Sequence, residues 1–162
     1  MTSLQMPKVQ QSILSSKDKI IADLRKIINR DNILSHEDEI RPYETDALAA
    51  YKQKPLLVVL PETVNQVSEV LKYCNENKIK VVPRGAGTGL SGGALPLADC
   101  VLLGMGKFNK ILEVDYRNKC VVAQPCVTNL AITHAVQDNK FYYAPDPSSQ
   151  IACSIGGNVA EN

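Results

Sequence analysis

The chain has 162 residues, 44% hydrophobic and 22% charged, which is enough length and apolar content for one ordinary globular domain with a real core. With 18 Lys and Arg against 17 Asp and Glu the net charge is +1, and no basic stripe runs along any predicted element, so no nucleic-acid partner is expected. The longest apolar run, Leu56 to Leu60, is far short of the roughly 20 residues that a bilayer-spanning helix needs. The N-terminus lacks the basic start and apolar core of a secretory signal, and a cytoplasmic protein is expected.

The leader through residue 15 reads as loose. Ser16 is placed to cap a helix in which Ile20, Ile21, Leu24, Ile27 and Ile28 share one face at the 3.6-residue period. Residues 31–54 read as irregular, with Arg41-Pro42 as a break. Leu57 to Leu60 is a buried-strand candidate between Pro55 and Pro61. Thr63 and Gln66 have capping-box spacing, and Val64, Val67, Val70, Leu71 and Cys74 give the next helix its buried stripe. Lys80 to Pro83 is a second strand, so strand, helix, strand form a compact unit with parallel strands and a right-handed crossover.

The second strand runs into Arg84-Gly85-Ala86-Gly87-Thr88-Gly89-Leu90-Ser91-Gly92-Gly93, where five of the chain's nine glycines fall within nine residues. Glycine leaves no Cβ to hold a ligand away and reaches positive φ without strain. Successive N–H groups in such a turning loop form an anion-binding concavity, and a diphosphate is the natural occupant. Ligands collect at the carboxyl ends of parallel strands, where this loop starts. Thr88 and Ser91 add hydroxyl donors, and Arg84 pairs with an anion or lies over the surface. Gly87, Gly89 and Gly92 formally satisfy G-x-G-x-x-G, with Asp115 downstream. The nicotinamide reading of that motif needs a helix opening at its third glycine, and Ala94-Leu95-Pro96-Leu97 does not supply one. A ligand-free glycine connection is the remaining alternative.

Beyond the loop, Cys100–Leu103, Lys110–Asp115 and Lys119–Gln124 read as short strands of antiparallel character, the last two joined at Tyr116-Arg117-Asn118. Thr128 caps a helix running to about Asp138, with Leu130, Ala131, His134 and Ala135 on one face. A second constellation follows: Ala144-Pro145-Asp146-Pro147-Ser148-Ser149, then Cys153-Ser154-Ile155-Gly156-Gly157-Asn158. The prolines force extended backbone, Gly156-Gly157 permits close approach, and Asn158 offers an amide donor and acceptor. Alone, this second stretch is equally a plain turn and helix cap. Cys74, Cys100, Cys120, Cys126 and Cys153 are odd in number and never form C-x-x-C, so free thiols are expected. Neither His36 nor His134 sits in a metal motif.

Taken together, Pro83 to Gly93, Pro145 to Ser149 and Cys153 to Asn162 resemble the FAD-linked oxidases of the vanillyl-alcohol-oxidase (PCMH-type) family, in its glycolate oxidase FAD-binding subunit and D-lactate dehydrogenase group. Arg41 to Asp46 and Leu57 to Gln66 also read like that family. The resemblance implies an α+β, two-lobed fold with FAD held between the lobes. Residues 1–30 would be leader and helix, 31–93 the first lobe and 94–162 a second, incomplete lobe. FAD would contact Arg84, Gly85, Ala86, Gly87, Thr88, Gly89, Leu90 and Ser91, and across from them Pro145, Asp146, Ser149, Cys153, Ser154, Gly156, Gly157 and Asn158. Members that bind FAD covalently here carry histidine where this chain has Thr88, which implies noncovalent FAD. Cys126 stands where the family usually has glycine, and would be strained if that position required positive φ.

The resemblance further implies oxidation of a small 2-hydroxy acid, with FAD-containing and iron–sulfur partner subunits and peripheral attachment to the inner membrane through them. The metal-binding and proton-abstracting histidines of full-length members have no counterpart here, so no catalytic or metal-ligating residue is named. The chain stops inside its second glycine turn and reads as C-terminally truncated. The alternatives are a stand-alone flavin- or nucleotide-binding module without turnover, and a flavin reductase with the same cradle.

Overall fold

A computed structural model describes residues 6–161; residues 1–5 of the expected leader and Asn162, the last residue of the second glycine motif, lie outside the described residues. The leader expected to be loose carries a helix of its own, α1 (Gln11–Ser15), which a break at Ser16 separates from the expected helix, α2 (Lys17–Leu24). Ser16 between them does not cap α2: its hydroxyl donates back to the Ser12 carbonyl at 2.8 Å. The apolar face survives the break, with Ile20, Ile21, Leu24 and Ile28 buried. The stretch expected to be irregular carries a short strand β1 (Ile33–Leu34), α3 (Glu37–Ile40) and a 3-10 turn at Arg41–Tyr43 that accommodates Pro42.

Strand β2 (Leu57–Val59), helix α4 (Val64–Glu76) and strand β3 (Lys80–Arg84) follow as expected. Thr63 Oγ1 accepts the Gln66 N–H at 3.2 Å, and the Gln66 side chain reaches back to the Glu62 N–H at 2.7 Å. The helix buries Val70 and Cys74, with Val67 packed beside them. Val64 and Leu71, assigned to that stripe from the sequence, lie on the outer side, 76% and 45% exposed.

The sheet order corrects one expectation. The sequence places strand β4 (Cys100–Gly104) at the opening of a second, antiparallel part, yet it lies between β2 and β3 and is parallel to both, in the order β1-β2-β4-β3. The cause is legible in the residues. Cys100 to Gly104 is buried at every position, and burying each large apolar side chain is worth about 1.5–3 kcal/mol, so this strand takes the centre. Pro83, lacking an N–H, is tolerated in β3 because β3 is an edge. The sheet alternates cleanly. Leu57, Val59, Val101 and Leu103 face α2 and α4, while Val58 and Leu102 face Ile40 and Tyr43 on the other side.

Strands β5 (Ile111–Asp115) and β6 (Cys120–Ala123) form the expected antiparallel hairpin. Asp115 holds its turn, accepting the Asn118 N–H at 2.9 Å. Helix α5 (Asn129–Val136) is capped by Thr128, whose hydroxyl accepts the Ala131 N–H at 3.2 Å. Its buried residues are Asn129, Ile132 and Val136 rather than the expected Leu130, Ala131, His134 and Ala135. A stretch without regular strand leads through Pro145 and Ser149 to α6 (Ile155–Glu161).

Candidate cofactor cleft

The glycine loop leaves the carboxyl end of β3, and no helix follows it, only a turn and irregular chain before β4. Gly87 and Gly92 have φ of +73° and +78°, a region open to glycine at no steric cost. Among the described residues, no protein acceptor takes the N–H groups of residues 86–91, and the Thr88 hydroxyl likewise has no partner. A run of unpaired donors on a turning backbone is the arrangement that binds an anion.

The loop is held from behind by the segment Tyr43–Leu48. The Gly87 carbonyl accepts the Ala47 N–H at 3.0 Å. Arg84 Nη1 donates to the Thr45 carbonyl at 2.6 Å, and the guanidinium lies 5.7 Å from the Tyr43 ring centroid. Burial pulls the Arg84 pKa down while nearby Asp46 and Tyr43 work the other way; an arginine so placed remains a cation. Asp46 is 4% exposed; its Oδ1 accepts the Leu48 N–H at 2.9 Å and its Oδ2 has no hydrogen-bond partner among the described residues. Arg84 is thus a tethered cation beside the loop, not a free surface side chain.

Facing the glycine loop is the start of α6. The Ile155 and Gly156 N–H groups donate to the Val127 and Pro125 carbonyls at 2.9 and 2.8 Å, and Ser154 bridges to Thr128. A Cβ on Gly85 would collide with the Ser154 hydroxyl, and one on Gly156 would lie 2.7 Å from Pro125 Cβ. Gly85 therefore lets the two loops touch each other, and Gly156 lets α6 seat against the turn at Pro125. At the far end, Ser91 Oγ donates to Glu161 Oε2 at 3.2 Å.

Between the loops runs a cleft of about 550 Å³, within the size range of small-molecule sites, about 300–1,000 Å³. It gathers Arg84, Gly85, Ala86, Gly87, Thr88, Gly89 and Leu90 on one side, and Ser149, Cys153, Ser154, Gly156, Gly157 and Asn158 on the other. A hollow of about 320 Å³ continues past Cys126 toward Thr128 and Ala131. Ser91, Pro145 and Asp146, named from the sequence with the others, do not line the cleft. Pro145 and Asp146 are exposed, and Pro145 offers its carbonyl to Asn129 Nδ2 at 3.2 Å.

Cys126 stands on the wall common to the cleft and the hollow. It has no positive φ, so the conditional strain does not arise. Burial pushes its thiol pKa up, with Ser154 pulling the other way, which leaves a neutral wall at physiological pH. The five cysteines are free thiols. Two residues that sequence reasoning missed sit at structural junctions of the cleft: Asn129, buried beneath the second loop, and Glu161, whose carboxylate abuts Gly89.

The chain is 53% identical over 146 residues to the glycolate oxidase subunit GlcD of Escherichia coli (strain K12), covering 90% of this chain and 29% of that protein. It is 36% identical over 164 residues to a D-lactate dehydrogenase of Anaerostipes hadrus, covering 100% of this chain and 32% of that protein. Among solved structures, p-cresol methylhydroxylase with substrate bound superposes with a TM-score of 0.68 at 29% identity, over 82% of this chain and 26% of that one. The chain thus spans about a third or less of these proteins, and the superposition shows the two-lobed PCMH-type architecture in its mixed sheet and hairpin. Residues 55–162 match the FAD binding domain family, and with the donor-lined cleft at the carboxyl end of β3 inside that span, the chain belongs to that family.

Proposed function

We propose that this chain is the FAD-binding portion of a flavin-dependent oxidoreductase that oxidises a small 2-hydroxy acid of the glycolate or D-lactate type. The observation that carries the cofactor site is the row of unpaired N–H groups on residues 86–91, with the Arg84 cation beside it. A diphosphate laid along Gly85–Ser91 would satisfy those donors, and charge-assisted bonds of this kind are roughly twice as strong as neutral ones. The opposite wall, from Ser149 to Asn158, would close over the rest of the dinucleotide. Thr88 has no nitrogen to link to a flavin, which supports noncovalent binding. When bound, FAD supplies the hydride acceptor, while the protein binds, orients and excludes water. The names of the relatives support the substrate class, and no side chain of this chain is given a catalytic role.

In the same reading the protein works with subunits carrying a further FAD or iron–sulfur centres, and attaches to the inner membrane through them. Among the described residues no helix is long and apolar enough to cross a membrane. In the same reading the two lobes divide after β4, a division that the pairing of β4 with β2 and β3 supports.

The test is reconstitution of the intact apoprotein with FAD, followed by anaerobic addition of glycolate, D-lactate or D-2-hydroxyglutarate. The expected result is a yellow complex whose flavin band bleaches with at least one of them. Acid precipitation should release all the flavin to the supernatant. Gly87→Val with Gly89→Val should abolish the complex without changing far-UV circular dichroism: the first forces a β-branched residue to positive φ, and the second puts a Cβ 2.6 Å from Glu161 Oε1. Failure to bind FAD overturns the cofactor reading; binding without reduction by any of the acids overturns the substrate class.

A further inference from the structure

We infer that Asn129 is the positioning residue of the second cofactor loop, joining three separate points of that loop through one buried amide. It is the first residue of α5 and is 1% exposed. Its Nδ2 donates to the Pro145 carbonyl at 3.2 Å, at the start of the proline-braced strip. Its Oδ1 accepts the Cys153 thiol at 3.6 Å and the Asn158 Nδ2 at 2.5 Å. Pro145, Cys153 and Asn158 are spread over fourteen positions of chain that has no strand ladder of its own. Backbone bonds fold the stretch locally, among them Cys153 N–H to the Ser149 carbonyl at 2.8 Å and Asn158 N–H to the Ser154 carbonyl at 3.0 Å, and others fasten it to the Pro125–Val127 turn and to Leu130; the Asn129 amide is the side chain that reaches the strip, the cysteine and the α6 turn at once.

The chemistry of the amide explains why asparagine stands here. A buried polar side chain is tolerated only when its donors and acceptors are met, and asparagine offers both from one planar group. Leucine fills similar space but leaves the Pro145 carbonyl and the Asn158 amide without partners. Aspartate keeps the acceptor oxygens for Cys153 and Asn158 and loses the donor to Pro145. The arrangement also reassigns two residues named from the sequence: the Cys153 thiol and the Asn158 amide N–H are taken up by Asn129 and face inward, so only their remaining atoms border the cleft. The Asn129 side chain thus holds the α6 turn in place opposite the glycine loop, together with the contact of Gly156 on Pro125.

This inference rests on the FAD reading of the cleft, and its test separates the two. In the intact protein, Asn129→Leu and Asn129→Asp are compared with Asp99→Asn, which breaks the Lys80–Asp99 ion pair (2.8 Å) at the other end of β3 and β4 from the cleft. The FAD Kd is measured by flavin fluorescence well below every Tm, and the labelling rate of Cys153 without FAD is followed by mass spectrometry. Asn129→Leu should weaken FAD binding tenfold or more, with Asn129→Asp intermediate. Asp99→Asn should stay within twofold of wild type even where it lowers Tm as much. Cys153, 3% exposed in the native protein, should label at least tenfold faster in Asn129→Leu and not in Asp99→Asn. Kd values within twofold of wild type in both Asn129 variants overturn the inference. If Asn129→Leu does not fold, Asn129→Asp alone decides it. If wild type binds no FAD, the cofactor reading falls and the labelling rates still decide the role of Asn129: equal rates overturn it, and the tenfold acceleration upholds it.

Discussion

Replacing Gly156 by alanine asks whether direct contact between α6 and the Pro125–Val127 turn sets the width of the cleft. A Cβ at this position would lie 2.7 Å from Pro125 Cβ and 2.9 Å from the Pro125 carbonyl oxygen. Carbon–carbon contacts settle near about 3.5–4.0 Å, so the start of α6 must retreat by about 1 Å. The obstacle is backbone and a proline ring, neither of which can rotate away. The same retreat stretches the Gly156 N–H···Pro125 carbonyl bond, now 2.8 Å, out of hydrogen-bonding range. Losing that bond costs about 1 kcal/mol and the forced shift about 1–3 kcal/mol, while alanine's better helix propensity returns about 1 kcal/mol. The net is a destabilisation of about 1–3 kcal/mol; at about 2–4 °C of Tm per kcal/mol this is a fall of a few to about 10 °C. Because Gly157 and Asn158 move with α6, the FAD Kd should weaken tenfold or more. Two other glycines grade the effect. At Gly157 the nearest atom is the Ser154 hydroxyl at 3.2 Å, and at Gly106 nothing lies within 4 Å, so Gly157→Ala should cost little and Gly106→Ala nothing in Tm. Differential scanning fluorimetry and flavin titration on the three variants give the comparison. A Gly156→Ala protein with the Tm and Kd of Gly106→Ala would refute the contact argument.

Arg84→Met keeps the side-chain length and removes the cation, so the FAD Kd should rise about tenfold at low salt and become less salt-dependent, as loss of one charge-assisted contact predicts. Titrations at two ionic strengths check this, and an unchanged slope would remove Arg84 from the anion site. The Asp99 carboxyl, 2% exposed, is held below its usual pKa of 3.8: burial opposes the charge, but the Lys80 ammonium and the Gln10 N–H outweigh it. A depressed folded pKa stabilises above the unfolded value and loses that contribution as pH falls through the folded one, so Tm should drop below about pH 4. The half-buried Asp23 and the exposed Glu62 are also lowered by lysine partners and share that limb. Asp99→Asn isolates its part: Tm should fall relative to wild type at pH 7 and converge with it near pH 3, and parallel curves would sink the assignment.

Helices α4 and α5 and the hairpin are legible in the sequence because their signals are local, whereas the short α1 and α3 carry no such signal. Thr63 with Gln66 and Thr128 with Ala131 cap the helices where the side chains lie, and the turn between β5 and β6 is where its residues place it. The order of the sheet was not read, because adjacency is a long-range property. The clue nonetheless lay in two places, Pro83 marking β3 as an edge and the unbroken burial of Cys100 to Gly104 marking β4 as a centre. Ser16 misled because its hydroxyl had a nearer acceptor in the Ser12 carbonyl. Asn129 is hidden in the sequence because a polar residue does not mark a buried face, although it shares its helical period with the buried Ile132 and Val136.

The glycines of the two motifs have separate physical reasons, which the sequence alone merges. Gly89 has ordinary φ, a Cβ there would meet only the end of the flexible Glu161 side chain, and its neighbours carry the unpaired N–H groups, so that part of the loop is left open for the proposed ligand. Gly85 and Gly156 have ordinary φ and are small because Ser154 and Pro125 press on them, so they are built toward the protein. The first kind of substitution should lower affinity with little change in Tm. The second kind should lower both together, since the cleft wall and the fold share the same contact. Glycine density in this chain thus reports two surfaces meeting a third body between them, and the ratio of affinity lost to stability lost, position by position, tells which glycines face that body.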